Sequence, residues 1–260
     1  MSNLLRHDDI ENEDFTSLAG SISSNRPRFD SLTGLTSSDL TDDEIDLLKP
    51  KVYQEIARQA KQRLYIKVHD SHHKNLQGVP IFPPSCSYGV IYLVRNPLDV
   101  AVSYAYHQGH LNFEKVVDQL NSCNHTMAGG SKAQLRQLTL GWRGHYTSWH
   151  QQKNIPVITI RYEDMLADTK SCLKKMATFL DLEEAHDDSK LERAVCSSHF
   201  DVLQDKEIKH GFTERPEKAK RFFRSGKSGD GRSMLHPSLQ DKIINPNFDL
   251  MNRLGYLPAE

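Results

Sequence analysis

The chain has 260 residues, 37% of them hydrophobic, with 33 Lys+Arg against 34 Asp+Glu and a formal net charge of −1. That length suits one large α/β domain, or one with a small appendage, and the balanced charge does not imply wholesale nucleic-acid binding, so any anion site must be a local cluster. No apolar run is long enough to span a bilayer, the N-terminus lacks the basic-then-apolar order of a signal peptide, and the four cysteines (Cys86, Cys123, Cys172, Cys196) are widely spaced, which together predict a reducing, cytoplasmic setting.

Residues 1–40 are rich in Ser, Asn, Asp and Thr with weak periodicity, a pattern open to loop, short helices or partial disorder. The α/β domain is expected over 41–260. It opens with a capping box, Thr41 and Glu44, followed by Ile45, Leu47 and Leu48; Pro50 is expected to break or restart that helix before Val52, Ile56 and Ala60 carry its stripe to about 62. "RLYIKVH" (63–69) alternates as a strand, "YGVIYLV" (88–94) is a near-continuous apolar run of the buried parallel type, and "IPVITIRY" (155–162) is a third strand. Helical patterns lie at 97–108, 113–122, 133–153, 170–182, 187–198 and 236–256. Strands alternating with amphipathic helices predict an α/β fold with a central parallel sheet flanked by helices. The stretch 205–235 is basic and poor in apolar residues apart from Phe212, Phe222 and Phe223, and reads as a long surface loop.

Four segments carry candidate chemistry. In "YGVIYLVRNPLDVAVSYAYH" Arg95 stands at the carboxyl end of a strand, where open α/β sheets bind ligands; Pro97 and Asp99 suit the first turn of the next helix, and Ser103 lies further along it. A guanidinium fork and a hydroxyl both donate to a phosphate, while an Arg95–Asp99 ion pair capping a structural turn is the competing account. "RFFRSGKSGDGR" places Arg221, Arg224, Lys227 and Arg232 around Gly226, Gly229 and Gly231, either an anion-binding nest or a flexible charged loop. In "YIKVHD" Lys67 and His69 are two apart on a strand and project from one face, with His69 at the carboxyl end as a candidate general base. His69, His72 and His73 do not form a known metal-ligand spacing. In "RYED" Tyr162 offers a ring for a base or for packing, and Glu163 and Asp164 suit fixing a neighbouring loop or cation.

Together these segments resemble the sulfotransferases that use 3′-phosphoadenosine 5′-phosphosulfate (PAPS), over about 64–256. "YLVRNPLDVAVSYAYH" resembles their 3′-phosphate motif, which implies that Arg95 and Ser103 hold that phosphate. "YIKVH" resembles the strand bearing a lysine at the sulfonate and the histidine base, here Lys67 and His69. "RYEDM" and "CSSHFDVL" resemble the adenine-bordering segments, giving Tyr162, Ser198 and Phe200. "FFRSGKSGDG" resembles the Arg-Lys-Gly…Gly-Asp-Trp motif that closes over the 3′-phosphate, giving Arg224, Ser225 and Gly226, with Gly231 where the family usually has Trp. The resemblance implies a P-loop NTPase-like sulfotransferase fold, PAPS as co-substrate with 3′-phosphoadenosine 5′-phosphate (PAP) as product, a small-molecule, glycan or peptide acceptor carrying a hydroxyl or amine, and no nucleic-acid partner. The family's opening strand and Tyr-Pro-Lys-Ser-Gly-type loop have no counterpart in this sequence, so a first strand is expected to be missing. A homologue that binds PAP without catalysis is the alternative. Acceptor identity and oligomeric state are not encoded in any motif.

Overall fold

The computed structural model describes residues 3–5, 21–130, 134–212, 215 and 221–257; among these, short strands are interspersed with helices in the first two thirds of the chain and helices alone follow. In chain order they are β1 (Ser21–Ile22), α1 (Arg26–Thr33), α2 (Asp42–Gln59), β2 (Ile66–Lys67), β3 (Val90–Val94), α3 (Pro97–His107), α4 (Phe113–Asn121), β4 (Thr126–Met127), β5 (Gln137–Leu138), α5 (Gly141–Gln151), β6 (Val157–Arg161), α6 (Tyr162–Ala167), α7 (Thr169–Phe179), α8 (Asp188–Cys196), α9 (Phe200–His210), α10 (Asp230–Met234) and α11 (Pro237–Arg253). They fall into two compact units. One comprises Gly20–Val90 and Gln119–Val157; the other holds Ile91–Asp118 and Ile158–Glu260 with the described N-terminal residues.

In the first unit the capping box forms as the sequence announces. The Thr41 hydroxyl accepts from the Glu44 N–H at 3.3 Å, and the Glu44 carboxylate accepts from the Thr41 N–H at 2.8 Å. Contrary to expectation, α2 does not break at Pro50. Proline cannot donate to the Asp46 carbonyl four residues back, but Asn75 Nδ2 donates to it at 3.2 Å, so the orphaned acceptor is satisfied and the helix runs on to Gln59. The strand expected over 63–69 shrinks to Ile66–Lys67, because β1, its partner among the described residues, is two residues long; they pair in parallel, Ser21 opposite Ile66 and Ile22 opposite Lys67. The helix expected from 133 starts instead at Gly141. Residues 137–138 form β5, antiparallel to β4, and Leu140 and Gly141 take positive φ values of 57° and 67° that turn the chain into α5; residues 131–133 lie outside the described residues. The unit's core is aromatic: Tyr53 stacks on Phe82 at 5.1 Å between centroids, and Phe82 meets Trp149 at 5.4 Å.

In the second unit β3 pairs with β6, and α7 and α8 bury Leu173, Met176, Ala177, Leu191 and Ala194 with Ile160 and Leu4. Helix α3 buries Leu98, Ala101, Val102 and Ala105 completely, an i, i+3, i+4, i+7 stripe. Its Asp99, Ser103 and Tyr106 follow an i, i+4, i+7 spacing and therefore share a second face. The expected long loop at 205–235 is corrected: α9 fills its start and α10 its end, while 213–214 and 216–220 lie outside the described residues. Apolar periodicity missed α9 because its buried residue is a carboxylate, Glu207, while Ile208 is 64% exposed. Among the described residues no helix is long and apolar enough to cross a membrane.

Candidate functional site

Arg95 leaves the end of β3, and the chain turns at once into α3. Asn96 accepts from the Leu98 N–H through its side chain at 3.0 Å and donates its own N–H to Glu163 Oε1 at 2.9 Å, so a carboxylate in the first turn of α6 fixes the strand-to-helix turn, the role that the sequence suggests for Glu163. The Arg95 guanidinium lies over the Tyr162 ring, 4.4 Å from its centroid, and donates to the Lys227 carbonyl at 2.9 Å. Tyr162 therefore packs under a cation. The Arg95–Asp99 contact is long, 3.9 Å. Asp99, 2% exposed, spends its oxygens elsewhere: Oδ2 accepts from the Gly229 N–H at 2.8 Å and Oδ1 from the Gly231 N–H at 2.7 Å.

The Gly-rich segment 221–231 is thus a strap laid along α3 rather than a free loop. A Cβ at Gly231 would sit 2.4 Å from the Leu98 carbonyl carbon, so only glycine lets the strap approach α3 this closely. Where the related motif usually has Trp, this chain packs backbone on backbone. Further along the strap Arg224 stacks over the Tyr106 ring at 4.5 Å and pairs with Asp230. Ser103 is half-buried between Asp99 and Tyr106 on the face of α3 that the strap contacts at both ends. Arg95 and Arg224 thus both engage the strap and α3, and Ser103 shares an α3 face with their contacts Asp99 and Tyr106. Gly226 has φ 62°, and a Cβ on it would lie 2.5 Å from the Phe200 ring, which seats the strap's middle on the start of α9. Ser225 is half-buried between Arg224 and Gly226. Ser198 sits two residues before Phe200, its hydroxyl donating to the Ala194 carbonyl at 2.7 Å and accepting from Asn3 Nδ2 at 2.9 Å.

Sequence reasoning missed Glu207. It is 4% exposed and accepts from the Phe222 N–H at 2.7 Å and the Phe223 N–H at 3.0 Å, holding the other end of the strap. No sequence signal marks it, since a lone Glu in a basic stretch reads as solvated.

Lys67 and His69 lie in the unit built on Gly20–Val90 and Gln119–Val157. Lys67 ends β2, while His69 stands just past it, so the strand alternation invoked for the pair covers only Lys67. The His69 backbone is fixed instead by side chains. His145 Nε2 donates to the His69 carbonyl at 3.2 Å, and Trp149 Nε1 donates to the Asp70 carbonyl at 3.1 Å. Burial pushes the His145 imidazole down to about 4, against the opposing pull of that carbonyl, so at neutral pH the ring is uncharged and Nε2 carries its proton. Next to His69, Asp70 (1% exposed) contacts Lys49 at 3.4 Å; Lys49, equally buried, reaches Asp46 at 2.8 Å and the Arg136 carbonyl at 2.7 Å. Burial raises Asp70, whereas at Asp46 the His73 contact, Lys49 and Arg136 overcome burial and hold the carboxyl well below the usual range.

Residues 10–254 match the sulfotransferase domain family, and the chain belongs to that family. It is 25% identical over 236 residues to flavonol 3-sulfotransferase of Flaveria bidentis, covering 84% of this chain and 71% of that enzyme. It is 30% identical over 156 residues to sulfotransferase 1B1 of Mus musculus, covering 55% of this chain and 48% of the relative. The chain thus spans about half the length of such animal relatives. Retinol dehydratase, solved with retinol and PAP, superposes with a TM-score of 0.58 at 19% identity, covering 90% of this chain and 70% of that one. Mouse sulfotransferase SULT7A1, solved with PAP, gives 0.53 at 21% identity over 77% of this chain and 69% of that one. The fold class is accordingly the α/β sulfotransferase fold.

Proposed function

We propose that this chain is a cytoplasmic sulfotransferase that uses PAPS and modifies a hydroxyl or amine of its acceptor. The observation that carries the reading is the strap: it lays Arg224 over Tyr106 of α3, the helix that carries Ser103, seats Gly226 against Phe200 of α9, and its Lys227 carbonyl accepts from Arg95. Two guanidiniums, a hydroxyl and a backbone that only glycine can supply fit a dianionic phosphate. Arg95, Ser103, Arg224 and the Gly226 amide hold the 3′-phosphate, with Ser225 between them on the strap. Tyr162, Ser198 and Phe200 border the adenine.

The bound co-substrate supplies the sulfonate. His69 takes the proton of the acceptor O–H or N–H on an imidazole nitrogen, and Lys67 offsets negative charge on the sulfonate oxygens. His145 and Trp149 fix the backbone from which His69 projects, which favours a rigid base.

Calorimetric titration with PAP, against adenosine 5′-phosphate as control, tests the nucleotide assignment. Tight binding that depends on the 3′-phosphate is the expected result; equal binding of both removes Arg95, Ser103 and Arg224 from that role. His69→Ala is then expected to keep PAP affinity and to lose about a hundredfold or more in turnover. Unchanged turnover removes His69 as the base, and absence of turnover in the parent beside intact PAP binding favours a binding protein.

A further inference from the structure

The strap 221–231 is tied down by two buried carboxylates from two different helices. Glu207 of α9 accepts from the consecutive amides of Phe222 and Phe223, and Asp99 of α3 accepts from Gly229 and Gly231. Each carboxylate uses both oxygens, one per amide, and each is almost fully removed from water, 4% exposed for Glu207 and 2% for Asp99. Arg224, Ser225 and Gly226 lie between the two anchors. A segment carrying Arg221, Arg224, Lys227 and three glycines has little intrinsic reason to hold one conformation, since glycine loses the most backbone entropy on ordering. A carboxylate that binds two amides is a strong and directional fastener, because charge-assisted bonds outweigh neutral ones. The chemistry is also selective for position: each carboxylate holds the strap through backbone amides, while Arg224 pairs with Asp230 on the strap itself and Arg95 donates to the Lys227 carbonyl.

We propose that Glu207 and Asp99 are positioning residues that set the chain's selectivity for a 3′-phosphorylated nucleotide. They do so by fixing both ends of the strap, so that Arg224 and the Gly226 amide meet the phosphate already ordered. This rests on the nucleotide assignment proposed above. An amide side chain of the same size offers one acceptor oxygen where the carboxylate offers two, and turns an N–H toward an N–H. Glu207→Gln and Asp99→Asn therefore each break at least one anchor bond with almost no change in volume.

The test titrates the full chain and both variants with PAP and with adenosine 5′-phosphate, and follows amide hydrogen exchange in the absence of nucleotide. The expected result is a loss of about tenfold or more in PAP affinity for each variant, with adenosine 5′-phosphate changed less than about twofold, because the anchors act on the 3′-phosphate contacts. Exchange should rise at Phe222 and Phe223 in Glu207→Gln and at Gly229 and Gly231 in Asp99→Asn. Equal weakening of both nucleotides, or unchanged PAP affinity despite faster exchange, overturns the proposal. If Glu207→Gln does not fold, Glu207→Asp keeps the charge but withdraws the acceptors by one methylene. The same PAP-specific loss is expected, and normal PAP affinity in that variant overturns the role. A parent chain that binds the two nucleotides equally sinks the nucleotide assignment and the selectivity role with it. The exchange pattern then shows whether the anchoring survives on its own.

Discussion

Nε2 of His145 donates to the backbone carbonyl of His69 across 3.2 Å, from a ring that burial keeps neutral. A histidine whose pKa falls on folding, here from 6.5 to about 4, is protonated more readily in the unfolded chain. Its contribution to stability is therefore complete above pH 6.5 and is lost as the pH falls toward 4, by at most on the order of 3 kcal/mol. His145→Gln retains an N–H for the His69 carbonyl and removes the titration. Urea denaturation at pH 7 and pH 5 should show the parent losing more stability than the variant. Parallel losses would mean that other groups carry the acid sensitivity.

Lys49 links Asp46 and Asp70 in a site where all three side chains are nearly inaccessible. Removing the cation leaves Asp70 buried without its counter-charge, and breaking such a pair from one side costs about 3–5 kcal/mol. Lys49→Met should therefore lower the thermal midpoint sharply. Lys49→Met combined with Asp70→Asn should recover part of that loss, because the orphaned charge is gone. If the double variant is no more stable than the single one, the penalty comes from the lost Lys49–Asp46 and Lys49–Arg136 contacts.

Gly231 lies against the backbone of Leu98 with no room for a methyl group. Gly231→Ala must push the strap off α3 and disturb the Asp99 bonds, at a cost of about 1–3 kcal/mol. Denaturant titration should show that loss together with weakened PAP binding. Full PAP affinity in the alanine variant would mean that the strap can move away from α3 without harming the phosphate cluster.

The elements that carry the candidate site were largely legible because they obey local rules. The end of β3 at Arg95 and the start of α3 are marked by Asn-Pro-x-Asp, and Thr41 with Glu44 marks the start of α2 just as plainly. What stayed hidden depends on partners far along the chain. The break at Pro50 is cancelled by Asn75, a residue 25 positions beyond it. The strand at 63–69 contracts because, among the described residues, β1 offers only two to pair with. Helix α9 hides because it buries Glu207 instead of an apolar stripe, and the ordered strap hides for the same reason, since its anchors are carboxylates that a sequence reading assigns to solvent. Local periodicity registers apolar burial; it does not register a buried acid that binds backbone amides.

Arg224 pairs with Asp230 in the same strap, with side chains 30% and 25% exposed. Unlike Asp99, which is committed to two amides, Asp230 holds the guanidinium proposed above to bind the 3′-phosphate, so on that assignment the carboxylate and the phosphate compete for one cation. A partly exposed ion pair contributes only about 0–1 kcal/mol, so Asp230→Asn should leave the thermal midpoint almost unchanged. PAP affinity should instead rise about two- to fivefold at low ionic strength, with the gain shrinking as salt is added. Calorimetric titration of the parent and the variant across a salt series measures both effects. Weaker PAP binding in the variant would reverse the assignment: Asp230 would then orient Arg224 toward the phosphate, and the pair seen within the strap would be part of the grip instead of a competitor for it.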